Sequence, residues 1–195
     1  MEPNHSNKPK NMHNIVLIGF MGCGKSTIGR ELKKSLGYHF IDTDNVIEEQ
    51  AGKSIPEIFE QNGEQAFRDL ETKVLKEIIH QETNHHIIAT GGGMPIRPEN
   101  QALLQKLGFV VWLSCSPEKI LARTARTSNR PLLNCNDPLA KISELLEERS
   151  PIYESSSHMK INTSSLDFNE ISCGILESAR YHFGNIPSVS TSLNE

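Results

Sequence analysis

The chain has 195 residues, a formal net charge of −4, 36% hydrophobic and 23% charged residues. That length suits one domain with a single sizeable core, and the mild acidity, with lysines and arginines scattered among carboxylates, argues against a nucleic-acid surface. No apolar run approaches the roughly 18 residues of a membrane span and no secretory apolar core is seen, so a soluble cytoplasmic protein acting on a small molecule is expected.

Residues 1–13 are polar and read as a disordered leader. Ile15-Val16-Leu17-Ile18 then forms a short β-branched run suited to a buried parallel strand. Gly19-Phe20-Met21-Gly22-Cys23-Gly24-Lys25-Ser26 follows, fitting G-x-x-x-x-G-K-[ST] at every fixed position. Glycines let backbone N–H groups curl around phosphate oxygens, the lysine reaches the β and γ phosphates, and the serine hydroxyl ligates Mg2+. Gly22, Cys23, Gly24, Lys25, Ser26 and Thr27 are therefore the expected contacts to a nucleoside triphosphate, and the helical spacing of Ile28, Leu32 and Leu36 supplies the helix that must come next.

A second strand is predicted at 38–41, followed by Asp42-Thr43-Asp44; in extended chain residues two apart share a side, so both carboxylates can face one site. Such a pair can serve Mg2+ or accept a proton from a hydroxyl, although an aspartate at a strand-to-helix junction is also a common cap. Helices are predicted at 54–60 and 64–80, the second carrying Arg68 and Glu71 at i, i+3. The third strand, 87–89, runs into Gly91-Gly92-Gly93 without the usual terminal acid, which places the metal role on Asp42. Three glycines suit a backbone that approaches a ligand closely.

Further helices are predicted at 98–107, 117–126, 137–149 and 167–182, with strands at 109–113 and 159–161; alternation of this kind implies a parallel sheet covered on both faces. The arginine-rich stretch from Arg123 to Leu133 can fold over phosphates as a lid. Glu148-Arg149-Ser150-Pro151 is read as a helix end. The four cysteines, Cys23, Cys115, Cys135 and Cys173, never form C-x-x-C and are expected as reduced thiols.

Taken in order, the phosphate loop, Asp42-Thr43-Asp44, Phe67-Arg68 with Glu71, Gly91-Gly92-Gly93, Arg130-Pro131-Leu132-Leu133 and Arg149-x-Pro151-x-Tyr153 resemble the shikimate kinases from about Ile15 to Ile161. The resemblance implies an α/β, three-layer P-loop NTPase fold with a five-stranded parallel sheet in the order 2-3-1-4-5. It also implies a mobile substrate-binding segment near 44–72 and a lid near 123–137, within a single kinase domain of 14–183 followed by a loose tail. The implied reaction moves the γ-phosphoryl of ATP to the 3-hydroxyl of shikimate. Asp44, Arg68, Gly92 and Arg149, with Gly91 and Gly93 beside them, are implied for shikimate, Ser26 and Asp42 for Mg2+, Arg123 for adenine and Arg130 for the phosphates. Lys25, Asp44 and Arg130 are the implied catalytic set, and the resemblance carries a monomer. Other acceptors on the same fold, gluconate or a nucleotide, remain alternatives. A GTP-binding switch would carry N-K-x-D and D-x-x-G, and neither is present.

Overall fold

The computed structural model describes residues 13–125 and 136–184. Its centre is a parallel sheet of five strands ordered β2-β3-β1-β4-β5, with β1 Ile15–Ile18, β2 His39–Asp42, β3 His86–Ala89, β4 Phe109–Ser114 and β5 Met159–Asn162. The expected order is therefore borne out. β1 is fully buried because alternate side chains feed two cores: Val16 and Ile18 point to one, Ile15 and Leu17 to the other.

Helices α1 (Lys25–Leu36) and α7 (Phe168–Phe183) cover one face, packing Ile28, Leu32, Ile171, Ile175 and Ala179 on Leu17, Val111 and Leu113. The other face is covered by α2 (Thr43–Ala51), α3 (Ile55–His80), α4 (Pro98–Leu107), α5 (Pro117–Thr124) and α6 (Pro138–Ser156), which bring Ile47, Leu75, Leu104, Ile120 and Ile142 against Ile88 and Trp112. Local chemistry sets the ends of these helices. Ser54 and Glu57 form a capping box at α3, Asp167 and Glu170 another at α7, and Gly37 closes α1 in the left-handed region with Lys33 and Lys34 in the last turn.

Two departures from the sequence reading have identifiable causes. The stretch after β2 is helical at once: Asp42 ends the strand and caps α2, so Thr43 and Asp44 lie in its first turn and not in extended chain. The separate helices predicted at 54–60 and 64–80 are both present as the two arms of α3, divided by the non-helical backbone of Gly63 at φ 80° and ψ 172°. Helix α6 does not end before Pro151 but runs through it to Ser156. Pro151 sits on the exposed side, while Arg149 and Tyr153, one turn apart, are both buried and hold the helix on either side of the missing N–H. A 3₁₀ turn at Met94–Ile96, unforeseen, follows the three glycines.

At the opposite end of the sheet from the carboxyl termini of its strands, His158 joins α6 to β5. Its Nδ1 accepts the Val110 N–H at 2.9 Å, while its backbone N–H donates to the Val110 carbonyl at 2.8 Å. Partial burial, and then the neighbouring His182, lower the pKa of His158. A histidine with a depressed folded pKa contributes stability above its unfolded value that is lost as pH falls through the folded one. Thermal melts at pH 7.5 and 5.5 are expected to show a drop that shrinks in His158→Asn; an equal drop in both proteins would remove His158 from the explanation.

Candidate active site

The phosphate loop, Asp42 with Asp44, and Gly91 to Gly93 lie at the carboxyl ends of β1, β2 and β3, where an open α/β sheet binds its ligands, and helices α3, α5 and α6 bring Arg68, Arg123 and Arg149 to the same end. The loop after β1 turns with positive φ at Gly19, Gly22 and Gly24, and Gly24 is the left-handed N-cap of α1. No side chain caps that helix, so its first N–H groups are available to an anion. Lys25 is buried and its ammonium donates to the carbonyls of Gly19 at 2.8 Å and Phe20 at 2.9 Å. Cys23 is wholly buried in the sheet–helix core, with its Sγ 3.8 Å from the Lys25 ammonium.

Ser26 donates its hydroxyl to Asp42 Oδ2 at 2.7 Å, and Asp42 Oδ1 accepts the Asp44 N–H at 3.2 Å. The cap is thus Asp42 and not Asp44. Among the described residues no group of three or more His, Cys, Asp or Glu could hold a metal alone. One hydroxyl and one carboxylate beside a phosphate loop nevertheless fit Mg2+, which prefers hard oxygens and commonly completes its shell with substrate phosphates and water.

Two cavities open here. The first, about 570 Å³, runs along Gly22 to Ile28 and continues past Arg123 to Thr163, Leu166 and Phe168. Arg123 donates to the carbonyls of Gly22 and Thr163, both at 3.2 Å, and Thr163 donates its hydroxyl to the Cys23 carbonyl at 3.0 Å, so the β5 exit is tied to the phosphate loop. The second, about 300 Å³, is lined by Arg68, Glu71, Gly91, Gly92, Gly93 and Arg149, with Phe59, Phe67, Ile55 and Pro56 as an apolar wall. Met21, Asp44 and Gly92 line both cavities. Asp44 therefore stands at the junction between a phosphate-binding compartment and a smaller one with two guanidiniums.

The smaller compartment is built tightly. Glu71 is fully buried; its Oε2 accepts from Arg68 Nη1 at 2.7 Å and its Oε1 has no hydrogen-bond partner among the described residues. Burial pushes the Glu71 pKa up to about 7, the Arg68 charge opposing this and the Asp44 charge adding to it. Glu64 holds the other side of the Arg68 guanidinium at 2.9 Å. Burial disfavours the charge of Arg68, but Glu71 and Glu64 together raise its pKa above the ordinary value, so it stays cationic. The glycines are needed for space: a Cβ on Gly91 would come 2.6 Å from Asp44 Oδ1, and one on Gly93 would collide with the Arg68 guanidinium. Gly91 is fixed by its N–H, which donates to the buried Thr43 hydroxyl at 3.0 Å.

The structure thus brings together Gly22, Cys23, Gly24, Lys25, Ser26, Thr27, Asp42, Asp44, Arg68, Gly91, Gly92, Gly93, Arg123 and Arg149 at one end of the sheet. Arg130 and most of the predicted lid lie outside the described residues. Sequence reasoning left out Met21, Thr43 and the apolar wall at Ile55, Pro56 and Phe59; none carries a motif, and only the G-x-x-x-x-G-K-[ST] spacing brackets Met21.

Comparison with known proteins gives a consistent result. A family model described as shikimate kinase matches residues 21–180. A shikimate kinase from Marinomonas sp. is 41% identical over 87% of this chain and 93% of its own length. One from Caldanaerobacter subterraneus is 47% identical over 73% of this chain and 82% of its own. Among solved structures, a shikimate kinase from Acinetobacter baumannii in complex with shikimate matches with a TM-score of 0.82 and 39% identity, covering 88% of this chain and 94% of that one.

Proposed function

This chain belongs to the shikimate kinase family, and from that footing we propose how its residues divide the work of phosphorylating shikimate with ATP. The product is shikimate 3-phosphate, with ADP released. The larger cavity takes ATP, its phosphates on the N–H groups of Gly22 to Thr27 and on Lys25, its base toward Arg123. The smaller takes shikimate, whose single carboxylate matches Arg68 and Arg149 and whose hydroxyls match Asp44 and the backbone of Gly91, Gly92 and Gly93.

The observation that carries this division is the shared lining: Asp44 and Gly92 belong to both compartments, so a hydroxyl held there faces the phosphate loop directly. In an in-line transfer Asp44 orients the 3-hydroxyl and receives its proton as the oxygen–phosphorus bond forms. Lys25 neutralises charge on the transferring group, and Arg130 is assigned the same task from the lid. Ser26 and Asp42 would hold Mg2+, which when bound supplies charge neutralisation across the phosphate oxygens. The apolar wall of Phe59, Ile55 and Pro56 covers the ring and keeps water from competing as acceptor.

A monomer acting in the cytoplasm without a nucleic-acid partner completes the proposal; among the described residues no helix is long and apolar enough to cross a membrane. Coupled ADP release with shikimate, gluconate and nucleoside monophosphates tests the acceptor. Turnover with shikimate alone, abolished by chelation and restored by Mg2+, is expected; turnover with a nucleotide instead would overturn the assignment.

A further inference from the structure

Helix α6 contributes Arg149 to the acceptor cavity, and four residues later the same face carries Tyr153, which is wholly buried. Its hydroxyl donates to the Gly92 carbonyl at 2.6 Å, toward the short end for its type. The ring is braced on Trp112, 5.9 Å between centroids. Arg149 itself lies over the Phe20 ring at 5.6 Å, and its Nε is buried with no hydrogen-bond partner among the described residues.

We propose that Tyr153 is a positioning residue for acceptor binding: its hydroxyl fixes the Gly92–Gly93 peptide in the cavity that Arg149, one turn earlier on the same helix, also lines. This rests on the assignment of shikimate to the smaller cavity. In a trans peptide the carbonyl and the following N–H point in opposite directions, so holding the Gly92 oxygen on α6 turns the Gly93 N–H away from Tyr153. The bond also sets how close the glycine backbone lies to the Arg68 guanidinium, against which Gly93 packs. Glycines have the widest conformational freedom of any residue, and the Gly92 carbonyl anchor adds to the bonds at Gly91 and Gly93 that define this segment as a binding surface. Tyr153 thereby couples the β3 exit to α6, the two elements that must agree on where the shikimate carboxylate sits.

Tyr153→Phe removes the oxygen and keeps the ring. The shikimate KM is expected to rise about tenfold while the ATP KM stays within about twofold, because the phosphate loop takes no part in the bond. In a double-mutant cycle the effect shrinks in an Arg149→Ala background, since Gly92 and Arg149 line the same cavity and act on the same bound acceptor. An unchanged shikimate KM, or equal rises in both KM values together with a lower Tm, overturns the proposal. If Arg149→Ala raises the shikimate KM and Tyr153→Phe does not, this inference alone fails; if neither does, the acceptor-site assignment fails. Should Tyr153→Phe not fold, 3-fluorotyrosine incorporated into the wild-type chain alters the donor strength of the hydroxyl without removing it. A shikimate KM that moves while the ATP KM holds supports the proposal, and two unmoved values overturn it.

Discussion

Asp44→Asn is expected to lower kcat about a thousandfold, the middle of the range for loss of a positioned general base, with ATP binding retained. Asparagine keeps the size of the side chain and one acceptor oxygen but loses the charge and the ability to take a proton. The donor side should be untouched, since Ser26 and Asp42 bond each other independently of the Asp44 carboxylate. Because the transition state of phosphoryl transfer is loose, part of the loss reflects poorer orientation of the hydroxyl, and a rise in shikimate KM should accompany the fall in kcat. Steady-state kinetics with both substrates varied distinguish these contributions. Near-normal turnover would remove Asp44 from its role.

Arg149→Ala and Arg68→Ala are each expected to raise the shikimate KM about a hundredfold, from the loss of charge-assisted bonds worth about 1.5–3 kcal/mol apiece. Their effects on stability should differ. Arg68 is the ion partner of fully buried Glu71 at 2.7 Å, so its removal leaves that carboxylate uncompensated, at a cost of about 3–5 kcal/mol. Burial already holds Glu71 up at about 7, and losing the Arg68 charge pushes it higher. A carboxyl whose folded pKa lies above its unfolded value gives full stability below the unfolded value and loses it as pH rises through the folded one. The Tm deficit of Arg68→Ala should therefore be small near pH 5 and grow toward pH 8. Among the described residues Arg149 has no such ion pair with a buried acid, and its deficit should be nearly flat. Melting curves across that pH interval decide the matter, and parallel curves for the two variants would contradict the Glu71 argument.

Much of this site is legible in the chain because its parts have short-range signatures. The phosphate loop needs fixed glycines ahead of Lys25 and Ser26, and the strand before it must be apolar on both faces, so Ile15 to Ser26 could be read residue by residue. Sheet order was different: nothing local tells β3 to insert between β2 and β1, and the order came from the family resemblance. The Asp42-Thr43-Asp44 segment was read as extended because alternation and a helix N-terminus look alike over three residues; the Ser26–Asp42 bond that distinguishes them spans 16 positions. Pro151 misled for a related reason. A proline normally predicts a helix end, but buried Arg149 and Tyr153 anchor α6 on both sides of it, which is tertiary information. The apolar wall at Ile55, Pro56 and Phe59 could not be separated from ordinary core by its residue types, since only the fold leaves that face of α3 opposite two arginines.

The most direct measurement of how the two compartments work together is a crystal structure with shikimate and a non-hydrolysable ATP analogue bound at once. Its predicted form has the shikimate carboxylate on Arg68 and Arg149, the 3-hydroxyl on Asp44, and the γ-phosphate on Lys25 in line with that hydroxyl. A shikimate ring turned so that its carboxylate lies away from both arginines, or a 3-hydroxyl out of reach of Asp44, would contradict it.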